Sequence, residues 1–419
     1  MNKFLYRRGG AEAYMLDVAD RQREQGHVVE LFGMQHPQNG PLRFAAHFPP
    51  QVELDPLPER TADRLRAAGR MFYSPASRKG LTRVLEEFQP DVVHLHNIYH
   101  QLSPSVLRAV EDAHVPAVMT LHDYKLACPS YLMLAGNEVC DACLDGRFRH
   151  AVAKRCKGGS LPASALLAAE SAYQRRRHAY DPVQRFLCPS RFLTDVMTSA
   201  GVYVDRLRVV PNFVDTAPIA AKTSAGGGAI YVGRLSPEKG VETLVEAAGL
   251  DPSLRVDIVG EGPEEPTLKT LAERRAPGRV TFHGRVSRDR VLDLVRGSAV
   301  VVLPSHCNEN QPLAVLEAFA CGVPVIASAL GGLPELVPEG CGFLVAPRDA
   351  AALSERLGTV LGDPEAAMSM GARARSTVLA RHSPRDHLVA LDAAYRDAAR
   401  ERSRGSAALP PVRRRVEHV

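Results

Sequence analysis

Short apolar, β-branched runs recur along this chain with helical stretches between them, and no other feature limits its possible fold as much. In the first half, residues 91–96, 116–121, 185–189 and 207–210 read as strands, as does 27–34 nearer the start. Helical patterns over 11–25, 61–70, 78–88, 104–113 and 163–179 fill most of the gaps. The rhythm restarts after residue 228 with strand-like runs at 230–234, 255–259, 280–283, 299–303, 325–329 and 343–345. Runs of this kind, buried on both faces and alternating with helices, predict parallel, doubly wound α/β sheets. The Ala-, Ser- and Gly-rich stretch 216–228 marks a joint. A length of 419 residues leaves room for two domains, each with its own core.

The stretch AVVVLPSHCNENQPLAVLEAFACGVPV, from Ala299 to Val325, carries the most chemistry. A strand is followed by a polar loop and then by a helix that opens at Pro312 and stops at Cys321-Gly322, with Pro324 just beyond. Glu309 lies in the loop, and Glu317 is the one polar residue of a helix otherwise apolar from Leu313 to Ala320. A carboxylate there is costly unless paired or hydrogen-bonded. Either both acids face one polar pocket at the C-terminal end of a strand, where such sheets bind ligands, or they are a surface acid and a snorkelling one. In the turn Gly233–Gly240, Ser236 reads as an N-cap and Pro237 as a first helical residue. Lys239 then falls in a first turn, where the dipole disfavours a cation unless an anion sits beside it. Arg234 leaves the same strand end and suits that anion too.

The pair Glu309 and Glu317 with the Ala-Phe-Ala-Cys-Gly-Val-Pro-Val that follows resembles the E-x7-E signature of retaining GT-B glycosyltransferases of family 4. The resemblance covers nearly the whole chain and is densest from Gly233 to Pro347. It implies two Rossmann-like lobes facing a cleft, spanning 1–212 and 213–383, with a helix 384–400 crossing back to the first lobe and a basic disordered tail 401–419. It also implies a nucleotide-sugar donor (UDP- or GDP-sugar), a diphosphate gripped by Arg234 and Lys239, and ribose hydroxyls on Glu317. Glu309 would hold the donor sugar and His122 would line the acceptor face. Gly9 and Gly10, with the loop Asn310, Gln311, Pro312 and Leu313, would complete the donor site. Asn310-Gln311-Pro312 departs from the Gly-Phe-Gly of many relatives, which leaves the donor sugar open. His96, Asn97 and Asp123 end strands on the acceptor side, where turn-forming side chains are the rival reading. Family members usually open on an apolar strand before Asn2-Lys3-Phe4, so a shortened first strand is expected. The implied activity is sugar transfer without a metal, in cell-surface polysaccharide or lipid-linked oligosaccharide synthesis. A nucleotide-sugar epimerase or hydrolase of the same fold and a degenerate sugar-nucleotide binder are the alternatives. A dehydrogenase is disfavoured, because no G-x-G-x-x-G follows a strand.

Composition narrows the partners. A net charge of +5 is small for this length and argues against nucleic acid. The basic residues nevertheless cluster at Arg60, Arg64, Arg66 and Arg70, at Arg78, Lys79 and Arg83, and at Arg175–Arg177. Such faces suit anionic headgroups of an inner leaflet or simply solvent. No apolar run reaches the ~18–20 residues of a membrane span, and the first residues have no secretory core, so a cytoplasmic chain is expected. Four of the eight cysteines, Cys128, Cys140, Cys143 and Cys156, fall in an insertion-like loop 128–156 with C-x11-C-x2-C-x12-C spacing. Four-thiolate zinc and ordinary cytosolic thiols both fit that spacing.

Overall fold

The structure, a computed structural model, describes residues 1–52 and 60–407, with side chains through residue 403. The first lobe holds a four-stranded parallel sheet of β1 (Val93–Leu95), β2 (Ala117–Thr120), β5 (Arg185–Cys188) and β6 (Leu207–Val209), in that spatial order. Between β2 and β5 the Cys-rich loop contributes a short antiparallel hairpin, β3 (Leu134–Ala135) with β4 (Glu138–Val139). The second lobe is a six-stranded parallel sheet. Its strands are β7 (Ala229–Val232), β8 (Val256–Val259), β9 (Val280–Gly284), β10 (Val300–Leu303), β11 (Val325–Ser328) and β12 (Gly342–Val345). Their order across the sheet is β12-β11-β10-β7-β8-β9. Helices cover both faces of this second sheet, which separates its core into two clusters. β10 and β11 are buried at every position, as an apolar β-branched run between two helical layers requires.

The expected strand over 27–34 does not form a ladder. Its backbone is joined to the chain start by isolated bonds, Asn2 N to Phe32 O and Met34 N to Lys3 O, while Lys3 N bonds to Asn97 O. Residues 1–3 therefore lie between 32–34 and 94–97, and three residues are too few to pair both neighbours regularly. A second difference concerns Lys239. Pro237–Lys239 form a 3-10 turn, Gly240 takes φ +65°, and the helix starts only at Val241. The Ser236 hydroxyl bonds to Glu238 instead of capping a backbone N–H, so the argument from a misplaced first-turn cation does not apply.

The last helix, Pro384–Ala407, runs seven residues into the segment expected as a tail; 408–419 lie outside the described residues. Leu388, Leu391, Ala394 and Ala398 bury against Tyr14, Val18, Val118, Leu187, Val210 and Phe213 of the first lobe. Each fully buried leucine of such a contact contributes about 2 kcal/mol. The helix thus returns to the first lobe, as the resemblance implied. Among the described residues, no helix is long and apolar enough to cross a membrane.

Candidate active site

Within the second lobe, Lys239 and Glu309 form an ion pair. Lys239 Nζ donates to Glu309 Oε1 at 2.7 Å, and the Ser305 hydroxyl donates to the same oxygen at 2.7 Å. The Glu309 side chain is 11% exposed, little enough that a lone carboxylate would be unstable there. Burial alone would raise its pKa, but Lys239 and Ser305 outweigh that and hold it below its ordinary value. The ammonium responds in kind: burial pushes it down, and Glu309 more than reverses this, leaving it above the usual lysine range. Two glycine sites bring these groups together. A Cβ on Gly240 would sit 2.1 Å from Pro304 O, and one on Gly331 would sit 2.2 Å from Glu309 O. Both have positive φ, so a side chain is excluded twice over. Gly332 N also donates to Glu309 O at 2.7 Å, fixing the loop on which the acid stands.

Glu317 does not meet Glu309 directly. Its carboxylate accepts from Arg288 Nε at 3.1 Å, and burial raises its pKa despite that partner. Arg7 and Asp17 of the first lobe are its next charged neighbours. Pro312 is the N-cap, not the first residue, of the helix Leu313–Ala320. Arg234 is exposed and its guanidinium has no partner among the described residues; its carbonyl accepts from Tyr231 OH at 2.8 Å. That tyrosine lies within electrostatic reach of Lys239 and Glu309, which puts Arg234 on the wall of the same pocket. Gly9 and Gly10 open the helix Gly10–Glu24, and a Cβ on Gly10 would meet only open space.

The loop after Glu309 crosses to the first lobe. Asn310 Nδ2 donates to Leu121 O at 3.3 Å, and Ser190 Oγ donates to Asn310 Oδ1 at 2.6 Å. Asn212 Nδ2 reaches Gln311 O at 2.9 Å while its backbone N–H meets the Gln311 amide oxygen. Tyr124 OH bonds to Asn308 O, and Glu335 accepts from the N–H groups of Arg191 and Phe192 at 3.1 and 3.0 Å. The residue after Glu309 is thus bonded to the residue before His122. The side chains of Asn310 and Gln311 lace the lobes together, a role distinct from the donor contacts expected of the loop's backbone N–H groups. Ser190, Asn212, Arg288 and Ser305 were not anticipated: Ser190 and Asn212 act across the lobe boundary, Arg288 reaches Glu317 from a neighbouring helix, and Ser305 turns back onto Glu309 within its own loop.

On the acceptor side, His122 is half-buried and its Nε2 lies 3.0 Å from His96 Nδ1. Burial lowers the His122 pKa to about 4, so the ring is neutral at pH 7. His96 is buried behind it and does not face the cleft. Asn97 and Asp123 are both held by Tyr99 OH, and burial raises the Asp123 pKa to about 6. The cysteine loop departs from expectation. Cys143 packs with Phe148, Ala151, Ala168 and Cys156 in a small apolar cluster, and Cys128 lies against the Ser130 hydroxyl. Burial, and then the neighbouring thiols, push Cys143 up to about 12. Among the described residues no group of three or more His, Cys, Asp or Glu is placed to hold a metal, although Cys128, Cys140 and Cys156 lie within electrostatic reach of Cys143.

Residues 8–218 match the family profile Glycosyltransferase Family 4, and residues 226–377 match Glycosyl transferases group 1. A D-inositol 3-phosphate glycosyltransferase of Xylanimonas cellulosilytica is 28% identical over 405 residues, covering 88% of this chain and 87% of that protein. A glycogen synthase of Mycobacterium tuberculosis is 35% identical over 198 residues, 45% of this chain, and the match spans only 48% of the relative's length. Among solved structures, sucrose-phosphate synthase from Thermosynechococcus elongatus superposes with a TM-score of 0.68 at 20% identity, over 96% of this chain and 94% of that one. Anabaena HepE, solved in complex with UDP-glucose, superposes with a TM-score of 0.62 at 19% identity, over 96% and 97%. These likenesses establish the two-lobed GT-B fold, and since the first profile takes in half the chain, the chain belongs to glycosyltransferase family 4.

Proposed function

We propose that the chain transfers a sugar from a nucleoside-diphosphate donor to an acceptor hydroxyl with retention of anomeric configuration. The single observation that carries this reading is the bond between Asn310 and Leu121, which brings the Lys239–Glu309 pair and His122 to one cleft. Breaking an anomeric C–O bond through an oxocarbenium-like transition state leaves negative charge on the departing diphosphate. Lys239, held by Glu309, supplies fixed positive charge for it, and the exposed, unpaired Arg234 adds a second cation. Glu309, ionised by its partners, accepts hydrogen bonds from the sugar hydroxyls. Glu317, beside Arg288, accepts from the ribose, and Gly9-Gly10 let the diphosphate or sugar approach backbone. Neutral His122 lines the face on which the acceptor hydroxyl attacks, and its proton passes to the leaving phosphate.

UDP- and GDP-sugars are the donor candidates, supported by the UDP-glucose complex of Anabaena HepE and by the 34% identity over 181 residues to a GDP-mannose-dependent mannosyltransferase of Corynebacterium glutamicum. A saccharide or lipid-linked acceptor, used in the cytoplasm for polysaccharide or lipid-linked oligosaccharide synthesis, completes the proposal. The basic face around Arg78, Lys79 and Arg83, which borders an open hollow of about 380 Å³, suits contact with an anionic membrane. Its charge is partly offset, since Arg78 and Arg83 pair with Asp112 and Glu86. A thermal-shift screen with UDP, GDP and ADP tests the donor class: selective stabilisation by one diphosphate is expected. Equal indifference to all three overturns the reading.

A further inference from the structure

Resting on the reading above, we propose that the loops after β1 and β2 form an acceptor subsite that takes a phosphate group carried by the acceptor. His100 is buried, and neither of its ring nitrogens has a hydrogen-bond partner among the described residues. The next side chain, Gln101, leaves its buried carbonyl oxygen unpaired as well. Unpaired buried polar atoms are rare because each costs about 1–3 kcal/mol, and three in two adjacent residues call for a missing partner. The backbone carries the same signal. His100, Ser103, Tyr131 and Met133 all sit at positive φ, between 50° and 64°, in two loops that touch. Strain of this kind in non-glycine residues collects at ligand sites.

The surroundings indicate the chemistry of the ligand. The His100 ring packs between Tyr99, at 5.5 Å, and Tyr131, at 6.1 Å. Lys3 Nζ lies 4.9 Å over the Tyr99 ring, and Lys157 Nζ lies 5.4 Å from the Tyr131 ring and donates to its hydroxyl at 3.1 Å. The result is an aromatic trough with an ammonium at each end, exposed at Lys157 and half-buried at Lys3. Neither ammonium forms a direct ion pair among the described residues, although Asp123 and Glu12 lie within electrostatic reach of Lys3, whereas the nearby Lys125 is already matched by Glu170 at 2.6 Å. Tyr99 OH also bonds to Asp123, next to His122, so the trough adjoins the face where the acceptor hydroxyl must lie. Two cations without a direct ion pair and an imidazole free to donate suit a dianionic phosphate better than a single carboxylate.

The test uses the full chain saturated with whichever of UDP, GDP or ADP stabilises it most, so that the donor diphosphate site is filled. Inorganic phosphate is then titrated by calorimetry. Wild type is expected to bind it, with affinity about tenfold weaker in Lys157→Gln and in Lys3→Gln and nucleotide affinity unchanged. Lys157 is exposed, so its replacement keeps the test valid if the Lys3 variant folds poorly. Competition by glycerol 3-phosphate points to a soluble phosphomonoester, and competition by phosphatidic acid vesicles points to a lipid headgroup. Nucleotide binding without phosphate binding, or phosphate binding equal in wild type and both variants, overturns the subsite. Variant-sensitive phosphate binding in a chain that answers to no diphosphate overturns the donor reading and leaves the subsite standing.

Discussion

The two lobes share one alternation of strand and helix but differ sharply in how completely they satisfy their own chemistry. Every described buried side-chain atom without a hydrogen-bond partner lies in the first lobe, at Asn39, His100, Gln101, Glu170, Arg185 and Asn212. Nine of the ten described non-glycine residues with positive φ lie there too, Arg348 being the exception. The second lobe has a longer sheet, two well-packed apolar faces and an active-site acid whose partners are all present. A donor site that handles a constant diphosphate can be completed in advance by the protein. A lobe that receives a particular acceptor keeps groups in waiting for it, at a cost in strain and unmet hydrogen bonds.

The comparison breaks most readily at Glu309. Glu309→Gln keeps the shape and removes the charge, and transfer turnover is expected to fall about 100-fold or more, measured as donor-dependent kcat with thermal stability as control. Full turnover would show that the second lobe's completeness is structural only. Lys239→Met asks the converse question: it strands a buried carboxylate, and a loss of about 3 kcal/mol in unfolding free energy, read by urea denaturation, is the outcome that fits. In the first lobe, Leu391→Ala empties a fully buried position where the last helix docks and should cost about 2–4 kcal/mol by the same measurement. If that loss also weakens nucleotide binding in the second lobe, the lobes are coupled more tightly than their separate cores suggest.

Acid should weaken both lobes, since burial holds His306 of the second lobe near pKa 4 as well. Burial holds His122 and His387 near pKa 4, and burial keeps His94, His96 and His100 well below 6.5. Each stays neutral when folded and takes a proton when unfolded, so between pH 6.5 and about 4 the unfolded chain binds more protons and stability falls as pH drops. Asp123, raised by burial to about 6, has the opposite sign and is outnumbered. Denaturation midpoints across that window check the direction; a flat profile would mean that these rings are protonated in the folded state. The smallest effect belongs to the loop that laces the lobes. Ser190→Ala removes the bond to Asn310 and the N-cap bond from Leu193 N, together costing about 1–2 kcal/mol of stability, and should raise the donor KM several-fold.

Much of the fold was legible in the residues. The alternation of apolar runs placed all six strands of the second lobe within two residues, because strands buried on both faces leave a continuous signature. The start of the chain was less legible: 27–34 has strand-like residues, yet a strand needs a neighbour long enough to pair with, and residues 1–3 are not. Lys239 was named as a donor residue on a local premise that the turn at Gly240 removes, and that turn depends on how closely Pro304 approaches. The spacing of Cys128, Cys140, Cys143 and Cys156 suggested a metal, but spacing along a chain does not set the distances between thiols.

Sequence alone determined the two parallel sheets, the joint between them, the family signature around Glu309 and Glu317 and the return of the final helix. Those features rest on local periodicity, on turn chemistry and on a long matched motif. The tertiary structure alone decided that Glu309 pairs with Lys239 and Ser305, that Glu317 answers to Arg288, and that Asn310 and Gln311 bind the opposite lobe. It also decided that His100 stands buried and unpaired between two tyrosines. Most of these contacts join residues tens to hundreds of positions apart, and a side chain's partner across such a distance is set by how the sheets and loops pack rather than by the residues beside it.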